Sequence, residues 1–429
     1  MISSEPSIWR SGAFVRLWAA TTVSYFGSFI TRTALPLAAI LMLGAGPLEI
    51  SALRGLELVA GLLVGLVVGA WVDRLRRRPI MVGADLGRAA LLATIPVAAV
   101  AGVLALPQLL IVAFLAAILT TCFDVASRTY LPTIVPKAQL VTANSALTAS
   151  ASAAEFTGFG VSGFLIQLFT APIAIAVDAA SFVVSALALG SIRQPEPPVP
   201  AVVDREPVLR EIRDGLRVVL GSPTLRAIAA AHGSTHLLWG IFGTVYLLFA
   251  TRDLALGPAA IGIIAGVGGA GSFLGAAVAG RVIARLGIGQ TMLLGMAGFT
   301  VGNALIPLAP SGAVLVGAAF LVAQQLIGDS AGTLYDVVET SLTQSIVAPR
   351  ILGRVTASIS TYTTLLSLVG TIVGGILAEL LGLRAAMAIG ILGGVAAFAF
   401  IWFSPIRTMR VIPAGFAIAP TPEDAPLIE

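Results

Sequence analysis

Apolar residues run along this chain in long blocks separated by short polar joints. The blocks cover about 14–43, 47–71, 80–103, 107–131, 142–166 and 171–191, then about 223–250, 258–283, 290–309, 312–338, 355–381 and 384–404. A helix needs roughly 20 predominantly apolar residues to cross a hydrocarbon core of ~30 Å. The pattern therefore predicts an all-α membrane protein with twelve transmembrane helices in two sets of six. Pro36 falls inside the first block, which a membrane helix tolerates when neighbours satisfy the freed carbonyl.

A polar segment of about 191–222 divides the two sets. Its first part, RQPEPPVPAVVDREP, is proline-rich and reads as extended linker. Its second part spaces Val208, Leu209, Ile212, Leu216, Val219 and Leu220 helically among Arg210, Glu211, Arg213, Asp214 and Arg217. That pattern predicts a helix lying on the membrane surface. The expected organisation is a six-helix bundle over 1–191, a cytoplasmic linker with the interfacial helix over 192–222, and a second bundle over 223–405. A Pro- and Ala-rich cytoplasmic tail over 406–429 reads as disordered.

Composition agrees with burial in lipid. Hydrophobic residues make up 57% of the chain and charged residues 11%, against about 25% charged in soluble domains. The 46 glycines suit close helix packing in a bilayer. Cys122 is the only cysteine, so no internal disulfide can form. With His232 and His236 as the only histidines, no ordinary structural zinc site is expected. Lys137 is the only lysine and lies in no GxxxxGK[ST] pattern, which argues against ATP hydrolysis. No cofactor or metal is expected. Arg10 and Arg16 precede an apolar stretch longer than the core of a cleaved signal, so the first span is expected to be retained.

Arginine sets the expected orientation. With the N-terminus inside, all of the 25 Lys and Arg except Arg32, Arg54, Arg252 and Arg384 fall on or near the cytoplasmic side. This is the asymmetry of the positive-inside rule. It places both termini in the cytoplasm and accounts for the net charge of +4 through an anionic inner leaflet, without nucleic acid.

The two sets repeat. Gly46 and Pro47 open the second block, and Gly257 and Pro258 open the eighth. The same interval separates GAWVDRL at Gly69 from GRVIARL at Gly280. DVASRTYLPTIVP from Asp124 parallels DVVETSLTQSIVAP from Asp336, and VTAN from Val141 parallels VTAS from Val355. Six spans per unit give both units one orientation, and parallel repeats of this kind place a substrate site near the bilayer midplane between the halves.

These residues carry a family resemblance. GAWVDRLRRRP, Gly69 to Pro79, resembles motif A of the major facilitator superfamily, G-x-x-x-D-R-x-G-R-R. Gly69, Asp73, Arg74, Arg77 and Arg78 match it, and Arg76 stands where the pattern has a second glycine. In the degenerate second copy, GRVIARLG, Ala284 replaces the acid while Arg285 and Gly287 remain. FVRLWAATTVSYFGSFITRTALPL, FDVASRTYLPTIVP, VDAASFVVSALAL, DGLRVVLGSPTLRA and PRILGRV are similar to the branch containing macrolide-efflux proteins and the enterobactin exporter. The resemblance extends from about Phe14 to Pro405. It implies alternating access, with Asp73 capping a helix of the other half and Arg77 held by Asp124. It makes Gly69, Asp73, Arg74, Arg77 and Asp124 candidate gating residues. Exporters of the superfamily often carry a glycine–proline motif in span 5; here Phe159 stands at the proline's place.

Charge inside the spans is the remaining chemistry. An ionisable group at the bilayer centre costs about 2.5–3.5 kcal/mol on insertion scales. Arg32, Arg54, Glu57, Glu155, Asp178 and Asp329 all fall within blocks. Arg32, Glu57, Glu155, Asp178, His236 and Asp329 are the candidate substrate and proton cavity. Low dielectric favours the neutral carboxyl group, so a carboxylate there can load and release a proton. The competing explanation is structural pairing, Arg54 with Glu57 or Arg32 with Glu57, and Asp178 belongs to the branch-like VDAASF stretch. His232 and His236 share a helix face and read as cavity lining or packing rather than a metal pair. GVGGAG, Gly266 to Gly271, lies in an apolar block, so close packing through Gly271 and Gly275 explains it better than a dinucleotide site. Arg350 and Arg354 read as topology determinants. Phe26, Phe29, Trp239, Phe242 and Tyr246 fit a permissive cavity and lipid-facing positions equally.

The function expected is proton-driven export of small amphipathic organic molecules across a bacterial cytoplasmic membrane, by an antiporter acting as a monomer. Uptake or facilitated diffusion by the same fold is the alternative. A non-transporting receptor and a membrane enzyme are weaker ones; no catalytic cluster supports the latter.

Overall fold

The computed structural model describes residues 7–72, 75–194, 196 and 208–411; at 65–72, 208–209 and 211 it describes the backbone only. Regular structure among these residues is helical. The helices are α1 (Gly12–Leu43), α2 (Pro47–Val72), α3 (Arg77–Val100), α4 (Leu106–Ile134), α5 (Leu140–Leu168), α6 (Ala171–Gly190), α7 (Val208–Gly221), α8 (Pro223–Leu248), α9 (Pro258–Leu286), α10 (Ile288–Leu308), α11 (Val314–Gln324), α12 (Ser330–Ile346), α13 (Pro349–Leu381) and α14 (Leu383–Trp402). A π turn, Phe249–Asp253, extends α8, and a second, Gln325–Asp329, joins α11 to α12 in one continuous span.

Among the described residues ten helices are long and apolar enough to cross a membrane. The remaining long helices are α2, whose last turns are described in backbone only, and α5, which carries Glu155 among many Ser, Thr and Gly residues. Local chemistry sets the helix ends. Ser11 Oγ accepts the Phe14 N–H at the start of α1, and Gly44 closes that helix in the left-handed region at φ 67°. Ser222 Oγ caps α8 by accepting the Leu225 N–H. Glu49 reaches back to the Gly46 N–H at 2.9 Å, with Pro47 opening α2.

The chain divides into two compact units. Unit 1 is Met1–Asp204 with Gly257–Gly266; unit 2 is Arg205–Leu256 with Val267–Glu429. The start of α9 therefore packs within unit 1. The same neighbours recur inside each unit. In unit 1, α1 packs on α5 and α6, and α3 on α4 and α6. In unit 2, α8 packs on α13 and α14, and α10 on α12 and α14. First-on-fifth-and-sixth and third-on-fourth-and-sixth is the arrangement a duplicated six-helix unit produces.

Two of the polar segments have protein partners. The amphipathic helix α7 packs on α13 and α8, and Ser358 Oγ donates to the Ile212 carbonyl at 2.8 Å. Its apolar face had a protein surface available, and Val219 is buried in it. The stretch after Pro405 begins ordered. A short helix, Pro405–Thr408, is followed by residues held on the start of α10, where the Gly289 N–H donates to the Met409 carbonyl at 2.9 Å. Those α10 amides have no partner within their own helix, and the tail supplies acceptors. The rest of the tail, 412–429, lies outside the described residues.

Candidate functional site

Helices α1, α2 and α5 bring charged side chains together at mid-span in unit 1. Arg54 and Glu57 sit three residues apart on one face of α2 and form an ion pair at 3.6 Å. Arg32 of α1 lies within Coulomb range of Arg54, Glu57 and Glu155. Pro36 lacks the amide that the Arg32 carbonyl would meet one turn on, so the backbone beside Arg32 is also polar. Arg32 and Glu155 are exposed, and Arg54 and Glu57 are about a quarter exposed, at 23% and 30%. Exposed charge at this depth requires water rather than lipid, because hydrocarbon cannot solvate it. The Arg32 guanidinium lies 6.0 Å from the Phe29 ring, which meets Phe159 edge-on at 5.5 Å. Three expected residues, Arg32, Glu57 and Glu155, thus form one set with Arg54.

Asp178 does not belong to that set. It is 1% exposed, accepts from Ser181 Oγ at 3.0 Å and lies within Coulomb range of Arg88. Arg88 is the hub of a second buried network. Its guanidinium pairs with Asp85 one turn earlier in α3 and lies over the Phe182 ring at 4.0 Å and the Phe123 ring at 4.7 Å. Thr120 Oγ1 accepts a further bond at 3.3 Å. A buried charge needs a counter-charge, which Asp85 supplies, and the aromatic faces add cation–π attraction, while Arg88 Nε and Asp85 Oδ2 have no hydrogen-bond partner among the described residues. Arg88 counted as a cytoplasmic arginine in the sequence, yet it is 2% exposed inside a span.

At the entry to α3, Arg77 and Arg78 donate their backbone N–H groups to the two Glu196 carboxylate oxygens, each at 2.8 Å. The Arg78 side chain donates to the Leu189 and Gly190 carbonyls at the end of α6. Gly69 is in the last turn of α2, whereas Asp73 and Arg74 lie outside the described residues, as does any capping by Asp73. Among the described residues no ion pair joins Arg77 to Asp124; Arg88 and Arg128 are the cations within Coulomb range of Asp124.

Unit 2 holds the other two expected residues apart from each other. His236 is on α8, its ring 6.3 Å from that of His232. Asp329 ends the π turn and lies within Coulomb range of Tyr246. Gly271 and Gly275 let α9 approach this turn: a Cβ at Gly271 would lie 3.4 Å from the Gln325 carbonyl carbon, and one at Gly275 would lie 3.0 Å from Ser330 Cα. Close packing is what the sequence predicted for these two glycines.

Residues 17–236 match the Major Facilitator Superfamily. The chain belongs to the Major Facilitator Superfamily. It is 25% identical to the uncharacterized MFS-type transporter YfiS of Bacillus subtilis, over 90% of this chain and 91% of that one. It is 25% identical to macrolide efflux protein A of Streptococcus pyogenes, over 86% and 90% of the two chains, and 27% identical to the multidrug efflux pump Tap of Mycolicibacterium fortuitum, over 91% and 96%. Its fold is similar to the nucleoside transporter NupG, with a TM-score of 0.72 at 15% identity, over 91% of this chain and 99% of that one. A bacterial homologue of the iron transporter ferroportin gives a TM-score of 0.71 at 17% identity, over 92% and 100%. As a superfamily member the chain is a multi-pass membrane transporter with efflux-type relatives, and a small molecule crossing the bilayer is its cargo.

Three features of this superfamily member escaped the sequence. The Asp85–Arg88 pair was visible as an acid and a base three residues apart inside a block, the same signal that flagged Arg54 and Glu57. Glu196 lay in a proline-rich stretch with nothing local to tie it to α3. Glu339 is buried at 7% exposure beyond the end assigned to its block.

Proposed function

We propose that the chain exports small amphipathic organic molecules across the bacterial cytoplasmic membrane in exchange for protons, by alternating access. The observation that carries this is the mid-span charge set Arg32, Arg54, Glu57 and Glu155 in unit 1. A transporter working without ATP needs a group that changes charge within the membrane, and Glu57 and Glu155 are the carboxylates of this set. Inward proton movement supplies about 2.3 kcal/mol per 100 mV from the membrane potential alone. The export direction draws support from the names of the Streptococcus and Mycolicibacterium relatives, aligned over most of both chains. Asp178 is assigned a holding role, since it is buried and accepts from Ser181 Oγ, outside the mid-span charge set. Gly69, Asp73, Arg74, Arg77 and Asp124 are assigned to gating at the cytoplasmic end, and both termini to the cytoplasm, in a monomer of twelve spans in two repeats. Uptake is the second reading, favoured by Phe159 in place of the exporters' proline.

The test is accumulation of a panel of amphipathic compounds in a deletion strain and its complement. Lower accumulation in the complement, reversed by a protonophore, is expected. Higher accumulation in the complement would favour uptake.

A further inference from the structure

Unit 2 carries a polar cluster outside the set used above. We propose that His232, Tyr335, Asp336 and Glu339, with Trp239 at the edge, bind the cationic end of an amphipathic substrate, a protonated or quaternary amine. This deepens the transport reading and rests on it.

The cluster is built by two helices. His232, His236 and Trp239 recur at helical spacing along one face of α8. Opposite, α12 presents Tyr335, Asp336 and Glu339. Glu339 Oε2 lies 3.7 Å from His232 Nε2, while its other oxygen accepts from Thr343 Oγ1 at 2.9 Å. The Tyr335 and His232 rings are 5.8 Å apart. Asp336 is exposed and within Coulomb range of His232. Trp239 is 43% exposed, its ring 5.8 Å from that of Phe299.

Tyr335 points to a ligand. It is 3% exposed, and its hydroxyl has no hydrogen-bond partner. Buried hydroxyls are normally satisfied, so an orphan one marks a place where another group docks. The charged groups acting on Tyr335 are both carboxylates, Glu339 and Asp336. Two acids, a free hydroxyl oxygen and flanking aromatic rings suit a positive group, held by charge and by cation–π contact. Among the described residues no three His, Cys, Asp or Glu side chains are grouped to hold a metal ion, which favours an organic cation. His232 lies about 14 Å along α8 from Pro223 at ~1.5 Å per residue, deep enough for the apolar part of such a molecule to stay out of water.

The probe is tetraphenylphosphonium, a permanent cation without a titratable proton, with neutral triphenylphosphine oxide as comparison. Both are titrated into the purified full-length protein. The parent protein should bind the cation more tightly than the neutral compound. Asp336→Asn and Glu339→Gln should each weaken the cation about tenfold or more and spare the neutral compound. Trp239→Ala should weaken it as well, and Glu379→Gln, an acid of the same unit outside the cluster, should bind as the parent does. Asp336 and Trp239 are exposed, so their variants keep the test available if Glu339→Gln misfolds. Parent-like cation affinity in folded Asp336→Asn, or equal affinity for the two probes, overturns the proposal. Cellular efflux of a neutral dye separates the two failures. Dye export with cation binding that ignores the cluster sinks this inference alone. No export of any compound, even with cluster-dependent binding, sinks the transport reading and with it the substrate role.

Discussion

Glu196 caps the helix that starts at Arg77. Its carboxylate takes the Arg77 and Arg78 amides at 2.8 Å each, and these are donors that α3 cannot satisfy itself. A carboxylate at a helix N-terminus also meets the positive end of the helix dipole. Glu196→Ala should therefore lower stability by about 1 kcal/mol, and Glu196→Gln by less. Thermal unfolding of the purified protein reads this. An unchanged melting temperature for Glu196→Ala would show that the contact contributes nothing.

Arg88 is enclosed by Asp85 and two aromatic rings. Removing one member of a buried pair strands the other charge, at a cost of about 3–5 kcal/mol. Arg88→Ala and Asp85→Ala should each reduce folded yield severely. Asp85→Asn with Arg88→Gln should recover part of it, since the two paired charges are removed together and neither is stranded by loss of the other. If both single alanine variants purify at parental yield and melting temperature, the network is not structural.

Two glycines set the approach of α9 to α5 within unit 1. A Cβ at Gly262 would lie 2.6 Å from the Phe159 carbonyl oxygen and 3.1 Å from Gly163 Cα. Backbone cannot yield as a flexible side chain can, so Gly262→Val should cost about 1–3 kcal/mol through overpacking and lower transport. Gly44, with open space around it, is different: Gly44→Asn should be tolerated because asparagine also enters the left-handed region. Export by Gly262→Val at the parental rate would contradict the close-packing role.

The sequence made the spans legible because a bilayer imposes one strict length and one polarity on every crossing segment. Thus α6 (Ala171–Gly190) ends where its apolar block ends. Hydropathy marks the edge of lipid, though, and not the end of hydrogen bonding. For that reason α12 continues in polar residues to Ile346, and α13 restarts at Pro349. The π turn at Gln325–Asp329 was not legible: no proline marks it, and it lies where Gly271 lets α9 approach closely. Of the site, Arg54 with Glu57 could be read from spacing on one helix. The links from Arg32 and Glu155 needed the packing of α1, α2 and α5. Arg88, buried inside a span with Asp85 one turn away, could have been read from the same spacing, whereas its place near Asp124 of α4 needed the packing of α3 on α4.

Glu57 is the carboxylate bound most directly into the mid-span charge set, through Arg54 at 3.6 Å. Glu57→Gln keeps the shape and removes the charge change. Uphill, energy-dependent efflux should fall about tenfold or more, the effect of losing a coupling charge within the membrane, while exchange of substrate down its own gradient persists. If both activities survive, the coupling group lies elsewhere; if both vanish in a folded protein, Glu57 contacts cargo instead.

The most direct measurement follows proton movement in inverted membrane vesicles energised so that their lumen is acid. Adding a substrate should release protons from the lumen, only in vesicles that contain the protein, in proportion to substrate taken up. Uptake of substrate with no accompanying proton release, or no response to any exported compound, would contradict proton-coupled export.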